Sequence, residues 1–254
     1  MEPLPLTPLS VGEIISHAVA IYRDRFGDLA RAVAVVLLPI TAIQLVLRLL
    51  FLHDSGGLAI LAALVTTVIT LLASQVGTAA CFQISGGAFV GQRPTWEESL
   101  DFGFNRLRPL VVLEIIFGFG VLAGLIAFVL PGIYLAVAWQ LAIPVLLFEG
   151  LSGTKALARS RELLRGRWWP ALGLVLVLAL VSVIVDSVLG TILGGLTNSS
   201  NDVFNELIGS LEGLASSVIT IPLSAAATTL LYVQSLVRRD EVDLGRLASR
   251  LGER

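Results

Sequence analysis

Residues 151–185 read LSGTKALARSRELLRGRWWPALGLVLVLALVSVIV. Lys155, Arg159, Arg161, Arg165 and Arg167 crowd the first half, and no charge occurs between Ala171 and Val185. About 20 apolar residues wound as a helix cover the roughly 30 Å of hydrocarbon in a bilayer. Cations that stop where an oily run begins mark the cytoplasmic edge of a membrane span. At about 100° per residue, Ala156, Leu157, Ser160, Leu163 and Leu164 share one helix face. Lys155, Arg159, Arg161, Glu162 and Arg165 share the other. That pattern predicts an amphipathic helix in the membrane surface, with Trp168 and Trp169 at the interface.

The rest of the chain fits this reading. Of 254 residues, 56% are apolar and only 14% charged, with a mean hydropathy of +0.88. A soluble domain carries about 25% charged residues, so there is too little polar surface here to cover a water-soluble globule. Apolar runs predict spans near 29–52, 58–84, 110–130, 133–148, 171–196 and 207–237. They do not alternate as barrel strands do, and helices satisfy their own backbone in lipid.

Arginines sort to one side of these spans. Arg23, Arg25 and Arg31 precede the first, and Arg93, Arg106 and Arg108 lie between the second and third. The 151–169 stretch separates the fourth from the fifth, and Arg238, Arg239, Arg246, Arg250 and Arg254 follow the sixth. Only Arg48, beside His53 and Asp54, approaches the other side. Both termini are therefore expected in the cytoplasm. The opposite loops are expected to be short: HDSGG, a Leu130-Pro131-Gly132 turn, and TNSSND.

Two further surface helices are expected. Ser10 with Glu13, and Thr95 with Glu98, have the spacing of a capping box. The expected architecture is all-α: six transmembrane helices as three hairpins, each preceded by a cytoplasmic amphipathic helix, near 10–26, 95–107 and 153–166. Residues 1–240 form one membrane domain and 241–254 a short cytoplasmic tail. No cleavable signal peptide is expected, because MEPLPLTPLS lacks a basic segment followed by an apolar core. Cys81, inside an apolar run, reads as a buried structural thiol.

The stretch LPGIYLAVAWQLAIPVLLFEGLSGTKALARSRELLRGRWW, residues 130–169, resembles a bacterial membrane-protein family, the membrane domain of glycerophosphoryl diester phosphodiesterase. PLSVGEIISHAVAIYRDRF at the N-terminus resembles it too. The resemblance implies a bacterial cytoplasmic membrane and a structural unit. It does not imply the activity. A phosphodiesterase barrel needs roughly 250 residues of its own, and its paired histidines have no counterpart in His17 and His53.

Candidate functional residues follow from charge and depth. Arg23, Arg25, Arg106, Arg108, Lys155, Arg159, Arg161, Arg165 and Arg167, with Trp168 and Trp169, are candidates for holding lipid headgroups or a partner. Glu114, Asp186 and Glu212 fall inside spans and are candidates for an intramembrane polar site. Thr66, Thr70, Ser74 and Thr78, and Ser216, Thr220, Ser224 and Thr228, form hydroxyl stripes that suit helix packing or a polar path. Gly-xxx-Gly pairs at 120, 190 and 209 suit close packing, and Pro39, Pro144 and Pro222 predict kinks.

There is no HExxH and no phosphate loop, and Ser85-Gly86-Gly87 has no histidine at its depth. The expectation is a non-catalytic accessory or scaffold protein with no cofactor and no metal. Its partners are anionic lipid and another membrane protein or a second copy of the chain, not nucleic acid. The alternatives are a transporter or channel for a lipid-like solute, and a membrane enzyme acting on phospholipid or glycerophosphodiester headgroups.

Overall fold

The structure, a computed structural model, describes residues 11–50, 56–89, 91–195 and 201–238. Ser10, His53, Asp54, most of TNSSND and the 241–254 tail lie outside the described residues. Every regular element among the described residues is helical. The elements are α1 (Val11–Asp24), α2 (Phe26–Leu50), α3 (Gly57–Phe89), α4 (Trp96–Asn105), α5 (Leu107–Ala127) and α6 (Val129–Ala138). A short α7 (Ala142–Pro144) runs into a π-helical turn, Val145–Glu149, and α8 (Thr154–Leu163), α9 (Trp168–Gly194) and α10 (Asp202–Val237) follow. Six helices, counting Val129–Glu149 as one, are long and apolar enough to cross a membrane, as a multi-pass membrane protein requires.

Local chemistry sets several boundaries. Thr95 and Glu98 form a reciprocal capping box at α4: the Glu98 N–H donates to Thr95 Oγ1 at 3.3 Å, and the Thr95 N–H donates to Glu98 Oε2 at 2.9 Å. The Asn201 side chain caps α10 through the Phe204 N–H. Gly150 (φ 72°) closes the π turn and Gly166 (φ 83°) precedes α9, both in the left-handed region that glycine enters without steric cost.

The third connection differs from expectation. Leu130-Pro131-Gly132 is not a turn but lies inside α6; the break is at Phe128, in extended conformation (φ −169°, ψ 142°). Pro131 sits in the first turn of α6, where its missing N–H has no intrahelical acceptor to lose. Gly132 is used for contact: a Cβ there would lie 2.4 Å from Leu125 Cγ. Gly120 and Gly124 face the same seam, under Trp139 and Gly132. The other two Gly-xxx-Gly pairs do not work this way, since a Cβ at Gly194, Gly209 or Gly213 would meet nothing within 4 Å.

The pairs α2–α3, α5–α6 and α9–α10 pack along their lengths, and α10 also packs on α1, α2 and α3. The buried core collects at one end of this bundle. It uses Leu29–Leu37 of α2, the C-terminal half of α3 from Ala73, and Pro222–Leu236 of α10, with Ile14, Ala18 and Ile21 of α1. Farther along, the long helices expose leucine, valine and isoleucine. Cys81 is a free, fully buried thiol. Helix α4 doubles back along α3 at its core end. Gly87 abuts Pro94, and a Cβ on Gly103 would lie 2.8 Å from the Val76 carbonyl oxygen.

Candidate functional site

The span expected at 133–148 is broken at Trp139–Leu141, and α8 fills the break. Ser160, fully buried, donates its hydroxyl to the Ala138 carbonyl at 2.9 Å and accepts the Leu141 N–H at 3.0 Å. Two backbone groups freed by the break are thereby satisfied away from water. The adjacent Arg159 Nε donates to Glu149 Oε2 at 3.1 Å, and the Tyr232 hydroxyl donates to Glu149 Oε1 at 3.1 Å. Glu149 thus ties α8 to α10. Ser160, Glu149 and Tyr232 are absent from the sequence-derived candidates; the signal was a lone serine on the apolar face of α8.

The cations divide into two groups. Arg23, Arg108, Lys155, Arg161 and Arg165 are exposed. Arg161 lies 5.9 Å from the centre of the Tyr134 ring, Tyr134 stacks on Trp168, and Trp168 meets Trp169 edge-on. Trp169 is 75% exposed. The others turn inward. Arg25, grouped by sequence with the headgroup-binding cations, is 5% exposed; its Nη2 donates to the Pro94 carbonyl at 2.6 Å and its Nε to Asp28. It clips the α1–α2 junction to the α3–α4 connection. Arg167, 6% exposed, reaches Gln234 on α10. Burial, then the nearby Arg238, lowers the pKa of its guanidinium. Arg159 is an inward strut on Glu149, and half-buried Arg106 stacks 3.8 Å over Phe102.

The carboxylates Glu114, Asp186 and Glu212 of the long helices separate likewise. Asp186 on α9 accepts a hydrogen bond from Ser216 on α10, and one turn on, Glu212 lies against Gly190. Glu114 belongs to α5, which packs chiefly on α6. The hydroxyl stripes mostly serve their own helices: Thr66, Thr70, Ser74 and Thr220 each donate to a carbonyl three or four residues back. A cross-helix bond links Gln44 of α2 to Thr70 of α3 at 2.6 Å. Above it, Arg48 pairs with Glu206 of α10 at 3.3 Å beside a cavity of about 360 Å³.

A larger cavity of about 940 Å³ opens between α3, α4 and the π turn, lined by Gln83, Arg93, Glu98, Asp101, Arg106 and Ser152 among others. Gln83 Oε1 is buried there without a partner among the described residues. Among the described residues, no three His, Cys, Asp or Glu side chains gather as a metal site.

A family model described as a domain of unknown function, DUF8558, matches residues 108–253, from the start of α5 through α10. The chain belongs to the DUF8558 family. The matched region holds the broken helix, the Ser160 plug, the Glu149 tie and the α9–α10 pair. No curated protein and no solved structure matches the chain.

Proposed function

We propose that this DUF8558 member is a non-catalytic accessory or scaffold unit of the bacterial cytoplasmic membrane, holding anionic lipid on its inner face. The α2–α3 and α9–α10 pairs are membrane hairpins, α1 and α8 lie at the inner surface, and both termini are cytoplasmic. The observation that carries the reading is on α8. Ala156, Leu157, Ser160 and Leu163 are buried while Lys155, Arg161 and Arg165 are exposed, next to the open ring of Trp169. An inward apolar face and an outward basic one, beside interfacial tryptophans, suit an anionic headgroup layer. Arg23 and Arg108 extend the same charge. The resemblance to the membrane domain of glycerophosphoryl diester phosphodiesterase supports a structural membrane role and rests on the sequence alone.

Each exposed cation contributes about 1 kcal/mol near an anionic surface, so Lys155 and Arg161 on α8 and Arg165 just after it together supply about 3 kcal/mol, roughly a hundredfold in affinity. The test uses full-length protein in mixed phosphatidylglycerol and phosphatidylcholine nanodiscs, with retained lipid read by native mass spectrometry. Wild type is expected to retain phosphatidylglycerol preferentially, and K155Q/R161Q/R165Q to lose most of that preference. Equal retention of both lipids by wild type ends the reading.

A second reading, a transporter for a lipid-like solute, draws on the 940 Å³ cavity and its unpartnered Gln83 carbonyl. It requires solute flux in proteoliposomes that Gln83→Leu abolishes.

A further inference from the structure

Four observations bear on the direction of the α5–α6 pair. First, α9 and α10 are antiparallel, and one end of the pair is fixed by Arg167 with Gln234 and the far portion by Asp186 with Ser216. Helix α9 has 27 residues, a length of about 40 Å.

Second, Tyr134 of α6 stacks on Trp168, the first residue of α9, with ring centres 6.3 Å apart. The turn at Phe128–Val129 is only five residues from Tyr134, about 7.5 Å of helix. Allowing for the reach of the two rings, the turn stays within about 20 Å of the start of α9, half the length of that helix.

Third, Glu149 bonds Tyr232, two residues from Gln234, at the same end of α9 and α10. Tyr134 and Glu149 are fifteen residues apart, so a straight crossing helix would separate them by about 22 Å along the membrane normal. Both instead make side-chain contacts at the same end of the α9–α10 pair, with the helix broken at Trp139–Leu141 between them. Fourth, the charged Arg161 sits over the Tyr134 ring. A guanidinium there keeps Tyr134 near the headgroups, since charge deep in hydrocarbon is costly.

We propose that α5 and α6 form a re-entrant hairpin that enters the inner leaflet, turns at Phe128–Val129 and returns to the face it left, so that four helices cross the bilayer and acyl chains of a single leaflet cover the hairpin. The proposal rests on the membrane reading above. Its occupant follows from the hairpin's surface: Phe119, Ile126, Phe128, Val129 and Leu130 are each more than 60% exposed, with no charge among them. The irregular backbone at Trp139–Leu141 is shielded by protein through Ser160, the condition under which non-helical chain persists at membrane depth. Helix α4 supports the same geometry, because it delivers α5 to a start beside Val76 and Ala73, partway along α3.

The test uses full-length protein with cysteines introduced one or two at a time at exposed sites. Cys81 is fully buried, and labelled wild type serves as the blank. Spin-label distances are read in nanodiscs for L130C/W169C and L130C/I192C. The hairpin places label 130 within about 25 Å of label 169 and nearer to it than to label 192. Six crossings reverse that order, and the reversed order overturns the proposal. On intact cells, a membrane-impermeant maleimide is expected to label V203C but neither L130C nor K155C. Labelling of L130C together with V203C also overturns it. Labelling of K155C from outside refutes the membrane orientation instead; the distance pair still decides the hairpin, because it depends on the fold alone.

Discussion

Ser160→Ala removes one oxygen atom and isolates two backbone groups. Ser160 is fully buried, as is Leu141, and Ala138 is 3% exposed. The hydroxyl accepts from the Leu141 N–H at 3.0 Å and donates to the Ala138 carbonyl at 2.9 Å. A buried backbone group left without a partner costs about 1–3 kcal/mol, so two cost about 2–4 kcal/mol after partial relaxation. That is a large share of the 5–15 kcal/mol of a typical fold. The loss is local first: the chain around Trp139–Leu141 opens before α9 and α10 separate. Two assays read it on purified protein in detergent micelles. Denaturant unfolding gives the free energy, and hydrogen exchange of a peptide covering 138–142 gives the opening. S160A is expected to lose about 2–4 kcal/mol and the protection of the Leu141 amide. Ser16→Ala, on the exposed face of α1, is the control and stays within about 0.5 kcal/mol. An S160A protein within 0.5 kcal/mol of wild type, with Leu141 still protected, refutes the idea that α8 plugs the broken helix.

Gly132→Ala sets a methyl 2.4 Å from Leu125 Cγ and 2.7 Å from its backbone nitrogen, so the α5–α6 seam must open. A destabilisation of about 1–3 kcal/mol, with faster exchange in 120–138, is expected. In a double-mutant cycle, Tyr232→Phe and Glu149→Ala are each expected to cost about 1 kcal/mol or more and to be non-additive, because both remove the same hydrogen bond; simple additivity on denaturation counts against the tie. Burial, and after it the neighbouring Cys81, raises the pKa of the Tyr22 phenol above its ordinary value. The folded state then favours the neutral phenol, so its contribution is complete below the ordinary value and is lost as pH rises through the shifted one. Ultraviolet titration of wild type against Tyr22→Phe is expected to remove a late-ionising phenol; unchanged curves in the late range count against it.

Much of the architecture was legible as residue chemistry. Arginine clusters ending at oily runs located the starts of α2, α5 and α9, and Thr95 with Glu98 predicted a capping box that forms atom for atom. The face of α8 that carries Ala156, Leu157, Ser160 and Leu163 was readable from helical spacing, and it is the buried face. The site was less legible. Arg25 and Arg167 look like their exposed neighbours in a sequence, because a charge count does not record which way a side chain turns. Their inward contacts, to the Pro94 carbonyl and to Gln234, cross 69 and 67 residues of chain.

Composition alone pointed to a membrane protein: with 14% charged residues, the chain has too little polar surface to cover a water-soluble globule. Hydropathy also decided where helices form, since lipid forces the backbone to satisfy itself. Tertiary structure decided where those helices go. A window of apolar residues measures transfer from water to hydrocarbon and carries no direction, so Val129–Glu149 reads like any other span. Its path is set by contacts between residues far apart in the chain: Trp139 over Gly120, Ser160 in the break, Glu149 on Tyr232 and Tyr134 on Trp168.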